Sequence, residues 1–221
     1  MTPDDESDLI AMYTGRLQQF GVSPETLGWG PKDRRELRFE ALCSLWDFRG
    51  ATILDFGCGF GDLLPFLTAR YTGVRYIGVD INPDLIAHAR RLHPDGHFEA
   101  TNLLRTQWAE PVDFVLASGV FNDRIRDNDA FTSEAFAAFD AIARVGFAAN
   151  FLSTKVDYRY DHAYYTEPQQ ALELCYRYSR NVVLRNDVMP FEFTVFVNKA
   201  TQIDTARGVF VASANPLLNQ S

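Results

Sequence analysis

The sequence predicts one α/β domain with a mostly parallel sheet, and three observations support this prediction. Short apolar runs alternate with helical patterns between residues 51 and 198, a glycine-rich turn follows the first run, and an aspartate ends the second. Strands that alternate with helices are joined by crossovers, which make the strands parallel. We expect an N-terminal helical cap over residues 1–48, an α/β core over residues 51–198 and a tail over residues 199–221.

The composition indicates a globular chain with an acidic balance. Hydrophobic residues make up 47% of the 221 residues and charged residues make up 23%, which suits a chain with a substantial core. The 21 lysines and arginines against 29 aspartates and glutamates give a net charge of −8. Because nucleic acids and acidic membranes bind proteins through phosphate neutralisation, we expect neither as a partner.

The sequence shows no sign of a secreted, membrane or metal-binding protein. Its first residues are acidic, and no stretch approaches the ~20 apolar residues of a membrane span. The three cysteines are widely spaced without metal-ligand spacing, and the acids and histidines are scattered. We therefore expect a cytoplasmic protein that binds no metal.

The first predicted helix covers residues 5–20. Its apolar residues recur at helical spacing on one face, at Leu9, Tyr13, Leu17 and Phe20, and Gly21 ends the pattern. Such a face is either an ordinary core stripe or the inner side of a helix that covers a ligand. Both interpretations stay open for Tyr13.

A second helix is predicted over residues 31–48, after a turn that contains Trp29 and with Pro31 as its first residue. Cationic side chains cluster near its start, where they oppose the helix dipole: Lys32, Arg34, Arg35 and Arg38. They form either a solvated face or a site for an anionic group. For the second interpretation, Arg34 and Arg38 are the candidates.

The glycine-rich turn lies between the first strand and a helix over residues 62–70. Gly57, Gly59 and Gly61 alternate there, and such glycines permit positive φ angles and close approach of a ligand. Dinucleotide sites use G-x-G-x-x-G, whereas this turn reads G-x-G-x-G and continues with Asp62. Asp55 and Asp62 flank the turn and would repel a diphosphate. They suit a cationic ligand such as S-adenosylmethionine (SAM).

The string DFGCGFGD of residues 55–62 resembles motif I of the class I SAM-dependent methyltransferases, and GVDINP of residues 78–83 resembles their second-strand motif. GWG at residues 28–30, followed by RF at residues 38–39, resembles the N-terminal segment of small bacterial members. The alternative is a glycine-rich turn in another α/β protein. The resemblance implies a Rossmann-like, doubly wound, seven-stranded sheet with an antiparallel last strand. It also implies SAM as cofactor and S-adenosylhomocysteine (SAH) as product.

Asp80 ends the second strand, which is predicted over residues 74–80. In α/β nucleoside sites, a carboxylate at this place accepts hydrogen bonds from the ribose hydroxyls. Asn82 and Pro83 already provide a cap and a first-turn proline for the next helix, which leaves Asp80 for the ligand. The resemblance implies that Ile81 packs on adenine.

The third strand, residues 97–101, is followed by Asn102 and Leu103. The family usually has an aspartate at the Asn102 position, where it accepts from the adenine amino group, and an asparagine amide oxygen accepts as well. The predicted cofactor-binding residues are Tyr13, Trp29, Arg38, Asp55, Gly57, Cys58, Gly59, Gly61, Asp80, Ile81, Asn102, Leu103 and Ser118.

The acceptor side is predicted where the fourth strand leaves the sheet at Ser118, because ligands bind beyond the carboxyl ends of parallel strands. This places Phe121 and Asn122 on the floor of the site. A helix over residues 129–144 and a strand over residues 146–152 lead to a polar, aromatic loop over residues 153–166. Tyr165 of this loop is a predicted substrate contact, and His162 is the candidate general base, although lone loop histidines are often surface residues.

A last helix is predicted over residues 166–178, followed by strands over residues 181–185 and 191–198 that are close enough for an antiparallel return. Residues 209–211 could add an edge strand. The predicted function is methyl transfer from SAM to a neutral or cationic small molecule by in-line displacement. The alternatives are a non-catalytic SAM-binding interaction protein and another SAM-site transferase, such as an aminopropyl transferase.

Overall fold

The computed structural model describes residues 1–28 and 32–211. A seven-stranded sheet forms the centre of the molecule, with the order β3-β2-β1-β4-β5-β7-β6. Its strands are β1 Thr52–Phe56, β2 Arg75–Asp80, β3 His97–Ala100, β4 Val112–Ala117, β5 Ala143–Leu152, β6 Asn181–Arg185 and β7 Glu192–Asn198. Only β7 runs antiparallel among these seven, between β5 and the edge strand β6. The predicted doubly wound sheet with an antiparallel last strand is confirmed.

Six helices surround the described sheet: α1 Pro3–Phe20, α2 Lys32–Leu42, α3 Leu63–Arg70, α4 Pro83–Leu92, α5 Asn128–Ile142 and α6 Pro168–Tyr176. Local chemistry explains several of their ends. Thr2 and Asp5 form a capping box at the start of α1, and the Asn82 side chain caps α4 ahead of Pro83. As the sequence predicts, Gly21 ends α1.

Each face of the sheet carries an aromatic core. On one face, phenylalanines of α5 and β5 pack together, with Phe136 and Phe147 at a ring distance of 5.1 Å. On the other, Trp46 packs against Phe114 of β4 at 5.0 Å. The two layers hold the strands rigidly, so the side chains at the strand ends have fixed positions.

Several predicted boundaries differ from the structure. α2 ends at Leu42 rather than at residue 48, because the chain turns there and packs Trp46 and Phe48 into the core. β5 begins at Ala143, directly after α5, because Ala143 pairs with Val112 of β4; pairing with the sheet overrides the helical pattern that extended to residue 144. In the tail, Val209–Phe210 pairs with Ile203–Asp204 in a separate two-stranded sheet and adds no strand to the main one. In the described part of the chain, no helix combines the length and the apolar character needed to cross a bilayer.

Candidate cofactor and acceptor site

A cavity of about 910 Å³ opens at the carboxyl ends of β1, β2 and β4. Its wall includes the glycine turn after β1, Asp80 and Ile81 after β2, and the segment after β4; α1 and the loop over residues 153–166 complete it. Ligand pockets measure about 300–1,000 Å³. The cavity therefore has the size of a site for a cofactor together with a second molecule.

The three glycines of the turn have different structural roles. All three have positive φ angles, at 71°, 54° and 78° for Gly57, Gly59 and Gly61. Gly57 and Gly59 line the cavity, and a Cβ on Gly59 would lie 3.1 Å from Leu27, another lining residue. Gly61 does not line it: a Cβ there would lie 2.5 Å from the ring of Phe98. Gly57 and Gly59 keep ligand space open, whereas Gly61 permits packing against β3.

Asp80 is an acid of the cavity that is held by backbone donors. Its carboxylate accepts hydrogen bonds from the backbone nitrogens of Gly59 and Asn82, each at 2.9 Å. A carboxylate accepts about four hydrogen bonds, so further acceptor positions face the cavity. Burial raises the pKa of Asp80, while the backbone donors oppose this shift. The Asn82 side chain caps α4, as predicted, and leaves Asp80 for a ligand.

The two carboxylates expected to flank the turn are both partnered. Asp55 is buried and accepts from the Tyr76 hydroxyl at 2.6 Å, and burial raises the pKa of Asp55 to about 7. Asp62 forms an ion pair with Arg35 at 2.9 Å. The argument that both acids repel a diphosphate is therefore too simple, since much of their charge is compensated.

α1 covers the cavity with Leu9, Tyr13 and Arg16. The Tyr13 hydroxyl donates to Asp123 at 2.5 Å, and burial together with the charges of Asp123 and Asp80 raises the pKa of Tyr13. Tyr13 thus lies at the cavity rather than in a core stripe. Sequence reasoning missed Asp123, whose only local signal is its position directly after the predicted floor residue Asn122.

The arginines of α2 connect this helix to the turn and to β7. Arg38 lines the cavity, but its Nε lies 2.7 Å from both carboxylate oxygens of Glu192, and the pair is largely buried. The Arg34 guanidinium lies 5.2 Å from the centre of the Phe191 ring, also at the cavity. Arg38 is therefore engaged by the protein itself, which leaves Arg34 as the more available of the two predicted anion contacts.

Several predicted acceptor residues also line the cavity, and we call the part of its wall that they form the acceptor end. Asn122, His162 and Tyr165 line it, as do the predicted cofactor residues Cys58 and Ser118. The Asn122 amide oxygen accepts from the backbone nitrogen of Leu152 at 2.9 Å. The backbone nitrogen of Tyr164 donates to the backbone carbonyl oxygen of Asn122 at 2.8 Å, which joins the segment after β4 to the aromatic loop.

Besides Gly61, three further predicted site residues do not line the cavity. Phe121 is 1% exposed and stacks on Phe151 in the core, so it does not reach a substrate there. Leu103 is also a core residue. The Asn102 amide donates to Glu6 of α1 at 2.8 Å and accepts from the backbone nitrogen of Leu104 at 3.0 Å, which occupies both of its ends. Trp29 lies outside the described residues.

The residues at the cofactor end of the cavity, which contains the glycine turn and Asp80, fit SAM. Gly57 and Gly59 line the cavity without a side chain, which lets a ligand approach the backbone of the turn, and a Cβ on Gly57 would also lie only 2.5 Å from Val120. The Asp80 carboxylate lines the cavity together with the apolar side chains of Ile81 and Leu85, a combination that would suit a nucleoside. In the part of the chain that the structure describes, no three acidic, histidine or cysteine side chains come together as a metal site.

A curated relative from Mycobacterium tuberculosis decides the family. It bears the name "Putative methyltransferase Rv1506c" and is 34% identical to this chain over 157 residues, which cover 68% of the chain and 94% of the relative. The chain belongs to the SAM-dependent methyltransferases. A family model described as a methyltransferase domain matches residues 53–145 of this methyltransferase, the part that contains the glycine turn and Asp80.

Two further comparisons agree with this assignment. The trans-aconitate 2-methyltransferase of Methylobacterium nodulans is 34% identical over 70 residues, which cover 32% of this methyltransferase and 27% of that relative. The crystal structure of magnesium protoporphyrin IX methyltransferase from Synechocystis PCC 6803, with bound SAM, has the same fold. It aligns with a TM-score of 0.63 and 15% identity over 88% of this chain and 97% of that one.

Proposed function

We propose that this methyltransferase transfers the methyl group of SAM to a small-molecule acceptor inside the cavity. One observation carries the proposal: the glycine turn with Asp80 and the acceptor-side residues Asn122, His162 and Tyr165 open onto the same cavity. A cofactor at one end and an acceptor at the other would be held side by side. Such positioning, with reacting atoms about 3–3.5 Å apart, removes a large part of the barrier to a displacement reaction.

The cofactor end has a role for each of its residues. Gly57 and Gly59 would admit the amino-acid part of SAM close to the backbone, Asp80 would accept the ribose hydroxyls, and Ile81 would pack on adenine. Tyr13 would close the site from α1, where its hydroxyl is held by Asp123. When bound, SAM supplies an electrophilic methyl group whose leaving group is a neutral thioether that needs no protonation.

The acceptor end must also remove a proton when the acceptor is a hydroxyl or an ammonium group. His162 is the base predicted from the sequence; it is exposed at the cavity, and its ring packs against Tyr160 at 5.5 Å. Asp123 is a second group with suitable chemistry on the same wall. Both are within the part of the site that would contact the acceptor.

A small acceptor fits the enclosure of the site and the charge of the protein. α1 and the loop over residues 153–166 form part of the cavity wall, which leaves a pocket rather than a groove for a polymer. The net charge of −8 opposes nucleic-acid binding. Two of the proteins compared above, trans-aconitate 2-methyltransferase and magnesium protoporphyrin IX methyltransferase, have names that refer to small-molecule acceptors. The three buried, free cysteines suit the reducing cytoplasm as the place of action.

Calorimetric titration with SAM and with NAD tests the cofactor assignment. We expect SAM to bind and NAD not to bind. Asp80→Asn should weaken SAM binding by about tenfold or more, because hydrogen bonds to a charged group contribute about 1.5–3 kcal/mol each. Asp95→Asn is the matched control, since Asp95 is exposed and does not line the cavity. Equal losses in the two variants, or none, would contradict the role of Asp80.

Methyl transfer itself is tested with tritium-labelled SAM and fractionated small-molecule extract. We expect label to appear in a small organic product. Binding of SAM without labelled product in any fraction would favour the interaction protein, and tighter binding of decarboxylated SAM than of SAM would favour an aminopropyl transferase.

A further inference from the structure

A row of rings leads along one wall of the cavity. Tyr158, Tyr160 and His162 alternate along the chain, and all three line the cavity. The rings of Tyr158 and Tyr160 lie 5.0 Å apart, and those of Tyr160 and His162 lie 5.5 Å apart. Despite this contact, Tyr158 is 69% exposed and Tyr160 is 56% exposed. Exposed aromatic rings that line a cavity are typical of a ligand contact.

The row is held in place by hydrogen bonds from both sides. The Tyr160 backbone nitrogen donates to the Tyr165 hydroxyl at 3.0 Å. The Arg124 guanidinium donates to the carbonyl oxygens of Asp161 and Ala163, each at 3.0 Å. These contacts attach the loop to the segment after β4. The rings therefore form a preorganised surface, and binding a ligand need not include the entropic cost of ordering the loop.

The row ends beside a carboxylate. Asp123 pairs with Ala163, the residue after His162, in an antiparallel bridge, and both Asp123 and His162 line the cavity. One oxygen of Asp123 accepts from the Tyr13 hydroxyl at 2.5 Å. Its other oxygen accepts from no side chain or backbone group of the described residues. The charge of Asp80 also helps to raise the pKa of Tyr13, so the Tyr13–Asp123 pair lies near the cofactor-side residue Asp80.

We propose that the Tyr158–Tyr160–His162 row with Asp123 binds the acceptor, and that this acceptor is a planar aromatic compound with a hydroxyl group. Its ring would pack on the row, and its hydroxyl would donate to the second oxygen of Asp123. The polarised faces and edges of the rings favour stacked or edge-to-face contacts with another aromatic ring over contacts with a saturated one. The proposal specifies the acceptor of the proposed methyl transfer and rests on that function.

Equilibrium binding of β-naphthol, followed by ligand-observed NMR with and without saturating SAH, tests the proposal without turnover. Decahydro-β-naphthol lacks the planar ring, and β-naphthyl methyl ether lacks the hydroxyl. We expect β-naphthol to bind at least tenfold more tightly than its saturated counterpart. The double variant Tyr158→Ala/Tyr160→Ala should lose about tenfold or more, as stacked rings do in other sites. Asp123→Asn should weaken binding of β-naphthol but not of the ether.

Tyr176→Ala is the matched control, because Tyr176 is also 56% exposed but does not line the cavity. SAH affinity, measured separately for every variant, reports whether the cofactor end is intact. No binding of β-naphthol, equal affinity for the planar and saturated compounds, or an equal effect of the control and the double variant would overturn the proposal. Absence of SAH binding in the wild-type protein would instead contradict the proposed function. In that case, the binding of β-naphthol measured without SAH would still test whether the aromatic row binds a planar ring.

Discussion

Asp55 shows how burial changes the charge of a single residue at the cofactor end. The residue is 3% exposed, its carboxylate accepts a hydrogen bond from the Tyr76 hydroxyl, and burial raises its pKa to about 7. A raised pKa means that the folded state holds the proton more tightly than the unfolded state. The contribution of Asp55 to stability is therefore greatest at low pH, falls as the pH rises from about 4 to 7, and is lost above this range.

Asp55→Asn should remove this dependence, because an amide has no proton to lose and its oxygen can still accept from Tyr76. Between pH 5 and pH 8 we expect the free energy of unfolding of the variant to rise relative to wild type by roughly 3 kcal/mol. The wild-type protein loses about 1.36 kcal/mol for each of the two pH units between pH 5 and the Asp55 pKa of about 7. Urea unfolding at the two pH values measures it. The exposed control Asp95→Asn should show no such trend, and a constant difference for Asp55→Asn would refute the explanation.

Single residues were predictable where their signal is local. The glycine turn and Asp80 follow strands within a few residues, and the structure places them together at the cavity. Their partners were not predictable in this way. Arg38 meets Glu192, which lies 154 residues away, and Tyr13 meets Asp123, which lies 110 residues away. No spacing in the sequence links such pairs, because the fold alone brings them together.

At the scale of elements, the Arg38–Glu192 pair joins α2 to β7 beside the cavity. The side chains are 11% and 2% exposed, and the Arg38 fork contacts both oxygens of the carboxylate. Breaking a buried pair leaves an uncompensated charge, which costs about 3–5 kcal/mol. Glu192→Gln should therefore destabilise the protein by about 3 kcal/mol in urea unfolding.

The exposed pair Arg75–Glu110 provides the comparison, with side chains that are 63% and 68% exposed. Exposed pairs contribute about 0–1 kcal/mol, so Glu110→Gln should have a small effect. Similar losses of stability in the two variants would show that burial does not increase the contribution of the Arg38–Glu192 pair. Replacing both Arg38 and Glu192 with apolar residues should recover part of the loss in stability, since no buried charge then remains.

Elements with regular local patterns were predicted well, whereas their boundaries depended on tertiary pairing. The helix and strand order from β1 to β7 agrees with the alternation of apolar patterns. The junction of α5 and β5 at residues 142–143 does not, because the register with β4 begins at Val112. The hairpin of Ile203–Asp204 and Val209–Phe210 likewise depends on the pairing of two short segments with each other.

For the whole molecule, the position of α1 decides whether the cavity is closed. The helix provides Leu9, Tyr13 and Arg16 to the cavity wall and is attached to the core at several places. Buried Asp5 accepts from Arg126 at 2.8 Å, and the Asn82 amide donates to the carbonyl oxygen of Ile10 at 3.1 Å. The same Asn82 follows the cofactor-end strand by two residues, so the helix and the cofactor end share a support.

We predict that loosening α1 weakens cofactor binding without unfolding the core. Arg126→Ala leaves buried Asp5 with fewer partners, so hydrogen exchange over residues 3–20 should become faster. SAH affinity should fall several-fold, because fewer molecules then have a closed cavity and the apparent affinity is reduced in proportion to that fraction. Arg144→Ala is the control: Arg144 is 56% exposed, against 54% for Arg126, and its partner Asp113 lies outside the cavity lining. Faster exchange in α1 with unchanged SAH affinity would mean that the helix covers the cavity without contributing to binding.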